Sequence, residues 1–156
     1  MTAKKFLTGV RMGMKEIEIL RENIQRARDR AFPGSINLKE DVVQESAPVD
    51  HLSGAVVSAQ ELIDKLENRL KTLLSDQAYA ESVINKMDNP MHRLILTLYY
   101  LTSDEIEEEA GQNQKKIKSV YLYSWDDVAY KIGYNVNYTR VKHSEALEEF
   151  ERLADL

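Results

Sequence analysis

Apolar residues recur at steps of three and four along most of this chain, the period of one face of an α-helix. From Thr2 to Ala31 the stripe runs Val10, Met14, Ile17, Leu20, Ile24, Ala27 and Ala31, narrow enough to be a helix-packing seam. Phe32-Pro33-Gly34 ends it, since proline interrupts a helix and glycine opens a turn. Residues 33–49 lose the period and read as a crossing loop, with a short extended piece at Asp41-Val42-Val43-Gln44. The period returns at Leu52 and holds through Val56, Ala59, Ile63, Leu66, Leu70, Leu73, Gln77, Ala80, Ile84 and Met87. That is about five heptads, or roughly 54 Å of helix. A seam of this length demands a partner. The first segment, folded back antiparallel, can cover most of it, and a second copy of the chain can cover the remainder or take the first segment's place.

Asp88-Asn89-Pro90 breaks the long helix, and a third helix is expected over Met91–Leu101, carrying Leu94, Ile95, Leu98, Tyr99 and Leu101. Residues 102–122 change character: an acidic run from Asp104 to Glu109, then Gly111-Gln112-Asn113-Gln114, then Lys115-Lys116-Ile117-Lys118. Opposite charges facing across a turn point to a hairpin-like excursion, either a solvated loop or a contact surface. Ser124 then reads as an N-cap, with Asp126 and Asp127 in the first turn, where carboxylates suit the helix dipole. Trp125, Val128 and Ile132 form its apolar stripe. A final helix is expected over Val136–Ala154, with Ala146, Leu147, Phe150 and Leu153 toward the core.

Composition narrows the class. The chain has 156 residues, only 6 Gly and 3 Pro, and no cysteine, which favours an all-α fold without disulfides or thiolate chemistry. No segment has the length and apolarity of a membrane span or signal peptide, so a cytosolic location without membrane contact is expected. Net charge is −5, globally unfavourable for nucleic acid, but its distribution is uneven. Residues 1–30 hold eight Lys and Arg against four acids, and Lys131 to His143 holds three Lys or Arg and no acid.

That basic stretch carries the candidate chemistry. Ala129, four residues before Gly133, supplies a small residue where two helices cross, and Gly133 supplies the corner: the pattern of a helix-turn-helix. On the second helix Asn137, Arg140, Val141 and Ser144 share one face. Asparagine can bond adenine twice, arginine can bond guanine twice, and valine can touch a thymine methyl. Asn135, Tyr138 and Lys131 suit phosphate contacts, which position without specifying. Lys142 falls where the pattern wants an apolar residue, and its amine must snorkel to water. Thr139 departs less, keeping a methyl group. His143 reads as a packed histidine, and His51 and His92 lack ligand spacing with it. No nucleophile motif, phosphate-cradling glycine loop, cofactor signature or metal-ligand spacing is present, so neither an enzyme nor a metalloprotein is expected.

Taken together, these residues resemble small phage- and prophage-encoded proteins of Gram-positive bacteria, related to the ArpU/RinA group of late-transcription regulators. The resemblance rests on Phe6-Leu7, on Val43-Gln44-Glu45-Ser46, on Asn89-Pro90 before Arg93-Leu94-Ile95-Leu96 with Leu98, Tyr100 and Leu101, and on Trp125-Asp126-Asp127-Val128-Ala129, Gly133-Tyr134, His143 and Ala146-Leu147. It implies a C-terminal half similar to region four of sigma factors. The chain departs from the family in the roughly 20 residues between the Tyr-Leu pair and the tryptophan, and at Lys142. The expectation is an all-α protein with a long antiparallel helical hairpin (1–87, dimerising) and a sigma-like helix-turn-helix head (88–156, with segment 102–122 inserted). Its partner would be double-stranded DNA. The alternative is a protein-interaction module for RNA polymerase or another host protein.

Overall fold

The computed structural model describes residues 1–32, 49–110 and 115–156, with side chains described for 1–32, 57–107 and 118–156. The expected extended piece at 41–44 lies outside the described residues. In chain order the elements are α1 (Ala3–Ala31), α2 (Val49–Asn85), α3 (Pro90–Leu96), a π-helical turn (Thr97–Leu101), β1 (Ser103–Ala110), β2 (Lys115–Leu122), α4 (Trp125–Ile132) and α5 (Val136–Leu153). The chain is predominantly helical, but the two antiparallel strands correct the all-α expectation.

The elements form two compact units. The first comprises Met1–Glu16 and Leu73–Leu156; the second comprises Ile17–Thr72. The core of the first unit gathers Leu7 and Val10 from α1, Ala80, Val83 and Ile84 from α2, Met87 beyond it, Leu96 of α3, Tyr100, and Ala146 and Phe150 from α5. The aromatic Phe6 packs edge-on to Tyr79 and stacks with Phe150. In the second unit Ile17, Leu20, Ile24 and Ile63 are buried, whereas Ala59, Leu66 and Leu70 of the same seam are only half-buried. Arg28 pairs with Glu67 there. Ile19, Val57 and Leu62 stay exposed.

Local chemistry fixes where α3 starts. Asn89 is its N-cap, its side-chain oxygen accepting from the backbone N–H of Met91 (2.9 Å) and His92 (3.4 Å), and Pro90 takes the first helical position, where no N–H is needed. His92 and Glu149 lock this turn to α5: His92 Nδ1 lies 2.5 Å from Glu149 Oε2. The other oxygen of Glu149 accepts from the backbone N–H of Asp88 at 2.8 Å. Burial pushes the Glu149 carboxyl up, but the bonds from His92 and from the backbone of Asp88 and Asn89 outweigh it and leave it below the usual range. Two positions depart from the expected core. Leu94 and Leu153 are 45% and 44% exposed; Leu153 continues the buried stripe of Ala146 and Phe150 but is the last residue of its helix.

The strands pair from Ser103 opposite Leu122 to Ala110 opposite Lys115. Glutamate is a poor strand former. The register offsets this by setting Glu107 opposite Lys118, whose amine lies 3.9 Å from its carboxylate. At the base, the Tyr123 hydroxyl donates to both carboxylate oxygens of Asp104 at 2.9 Å. Arg11 of α1 donates to the carbonyls of Tyr99 (2.9 Å) and Tyr123 (2.6 Å), one on each flank of the hairpin.

Candidate nucleic-acid interface

The two helices bearing the candidate residues are held by complete caps. The Ser124 hydroxyl accepts from Asp127 N–H at 3.2 Å, and the Asp127 carboxylate accepts from Ser124 N–H at 2.9 Å, a reciprocal capping box with aspartate in the glutamate position. The Tyr121 hydroxyl also donates to Asp127 at 2.5 Å. That bond, followed by those from Ser124, holds the Asp127 carboxyl below its ordinary value. At the other end Gly133 adopts φ 79° and ψ 26°, a left-handed corner that costs a side chain strain. Its N–H reaches the Ala129 carbonyl at 3.0 Å, and Tyr134 N–H reaches the same carbonyl at 3.1 Å. Asn135 then caps α5, its side chain accepting from Tyr138 N–H at 2.7 Å.

One side of this pair faces the core. Val128 and Ala129 of α4 are buried, as are Thr139, His143 and Ala146 of α5. Thr139 meets the expectation for a near-apolar position: its hydroxyl donates to its own helix at Asn135 O, 2.8 Å away. Trp125 stacks on Tyr99 at 3.9 Å and meets the His143 ring edge-on at 4.5 Å. His143 Nε2 lies 2.7 Å from the Tyr100 hydroxyl. Burial, with a smaller push from the Lys4 charge, depresses His143 to about 4, so it is neutral at pH 7. Burial likewise raises the Tyr100 phenol.

The opposite side is open. Asn137, Arg140, Val141 and Ser144 are all exposed, Val141 by 58%. Lys131 and Asn135 are exposed and Tyr138 is half-buried. Four of the candidates are already engaged: Asn135 by capping, Lys131 with its amine 5.0 Å over the Tyr123 ring, Tyr138 by stacking on Tyr134 at 4.5 Å, and Ser144, whose hydroxyl donates to the Arg140 carbonyl at 3.3 Å. Lys142 snorkels as expected, its amine 3.0 Å from Glu145 and above the Tyr138 ring.

Sequence reasoning missed other neighbours of this face. Tyr130 is 89% exposed, although its position beside Lys131 gave no sign of that. Lys4 and Thr8 of α1 border a cleft together with Arg140 and Ser144. Among the described residues, no cluster of three or more His, Asp or Glu could hold a metal ion, and no helix is long and apolar enough to cross a membrane.

No protein-family model, curated protein or solved structure matches the chain. The functional reading therefore stands on its own residues.

Proposed function

We propose that this chain is a DNA-binding transcriptional regulator of the phage and prophage type, reading double-stranded DNA in the bacterial cytosol with α5 as the recognition helix of a sigma-like helix-turn-helix. One observation carries the reading. Asn137, Arg140, Val141 and Ser144 occupy a single exposed face of a helix whose reverse face, at Thr139, His143 and Ala146, is buried. A helix anchored along one side and free along the other is what entry into a major groove requires. No acid occurs between Lys131 and His143, and the next one along α5, Glu145, is paired with Lys142 at 3.0 Å. In this reading α1 and α2 form an antiparallel arm that dimerises through its half-buried seam; a monomeric mass in light scattering would rule the dimer out.

The test is fluorescence polarisation with duplexes from the chain's own genomic neighbourhood at two salt concentrations. Binding should fall steeply with salt, because each neutralised phosphate releases counterions. Arg140→Ala should weaken the preferred duplex by about 1–3 kcal/mol and relax its specificity. Absence of binding to any duplex at low salt refutes the reading.

A second reading is a protein-interaction module that binds RNA polymerase or another host protein. The observation favouring it is Tyr130, 89% exposed beside the exposed Tyr134; exposed tyrosines are frequent anchors at protein interfaces. Binding to polymerase that resists salt and is lost in Tyr130→Ala would select it.

A further inference from the structure

The cleft beside α5 has a composition that the reading face alone does not explain. It encloses about 400 Å³ and is lined by Lys4 and Thr8 of α1, Tyr99, Tyr100, Trp125, and Arg140, His143 and Ser144. This volume lies in the range of small-ligand clefts, about 300–1,000 Å³. Its two charged groups are both cations, brought together from positions 4 and 140, and no carboxylate lines it.

Several cations of this chain are already engaged. Arg26, Arg28, Lys118 and Lys142 each sit beside a glutamate, and Arg11 is spent on two carbonyls. Among the described residues, neither Lys4 nor Arg140 forms such an ion pair. The residue four positions after each, on the same helix face, is Thr8 in one case and Ser144 in the other. Both are hydroxyl residues, and both line the same cleft. Two unneutralised cations with the Thr8 hydroxyl form a donor set suited to a tetrahedral oxyanion, for which charge-assisted bonds are the strong ones, while the Ser144 hydroxyl donates to the Arg140 carbonyl at 3.3 Å. His143 adds no charge, being neutral at pH 7.

We propose that this cleft is a phosphate-binding site, in which Lys4 and Arg140 hold one phosphoryl group with Thr8 as a supporting donor. The phosphoryl group belongs either to the backbone of bound DNA or to free phosphate. The first case rests on the proposed DNA reading and extends that interface onto α1; the site itself does not depend on it.

Trp125, the only tryptophan of the chain, lines the cleft and reports on its occupation. The experiment titrates the full chain with inorganic phosphate, and separately with the preferred duplex, at ionic strength held constant with chloride. Trp125 fluorescence is followed in the parent and in Lys4→Gln, a surface change whose fold is checked by circular dichroism. The expected result is a saturable response to phosphate, weakened severalfold in Lys4→Gln, together with a duplex salt slope reduced by about one. A phosphate response without duplex binding upholds the site, assigns it to free phosphate and removes the DNA reading. Duplex binding that Arg140→Ala weakens and Lys4→Gln leaves unchanged, with no phosphate response, overturns the site and spares the DNA reading. No saturable response to either ligand, or a response equal in both proteins, also overturns it.

Discussion

The two halves of α5 are built for opposite purposes. From Ala146 onward the helix is tied in: Ala146 and Phe150 are fully buried, and Glu149 bridges His92 to the backbone of Asp88. From Asn137 to Ser144 its outer face touches little, and its residues there are polar or exposed. The inner face of that first half is buried as well, at Thr139 and His143, so the contrast lies between these anchored positions and the outer face of the free half. Under the proposed DNA reading, substitutions at the anchored positions should move stability, and those on the outer face should move binding.

The largest effect is expected at the anchor. Phe150→Ala removes a fully buried ring and should cost about 3–5 kcal/mol, read as a lowered urea midpoint; a loss comparable to a surface change would break the comparison. Next comes Glu149→Ala, which strands His92 Nδ1 and the Asp88 N–H without partners and should cost about 1–3 kcal/mol. A smaller effect follows from pH. His143 titrates at about 4 in the folded chain against an ordinary 6.5, so the unfolded chain takes up the proton first as pH falls. Its contribution is whole above about 6.5 and drains away between 6.5 and 4. His143→Gln should flatten the urea midpoint across that window, and an unchanged slope would refute the assignment. The smallest effect belongs to the free half: Arg140→Ala should shift stability by no more than about 0.5 kcal/mol while weakening DNA binding, and a large loss of stability would show that Arg140 is structural.

Much of this was readable along the chain because it depends on neighbours in sequence. The Ser124 cap, the Gly133 corner and the buried stripes of α1 and α2 each follow from residues within a turn or two of one another. The face of Asn137, Arg140, Val141 and Ser144 is likewise a matter of helical period. The strands were harder. Opposed charge runs indicated an excursion that folds back, but Glu-rich β1 has little strand propensity of its own, and its pairing with β2 is what makes it a strand. The cleft was out of reach, since Lys4 and Arg140 meet only through the packing of α1 against the head. The π-helical turn at Thr97–Leu101 has no sequence signal for which we have a physical account.

Arg11 has a consequence for how this molecule tolerates change. One guanidinium fastens the carbonyls of Tyr99 and Tyr123, and between them Ser103 lies directly opposite Leu122. The chain thus leaves and re-enters the helical body at one riveted point. Tyr121, by its bond to Asp127, belongs with that point. The ribbon farther out is set apart from the helices behind it.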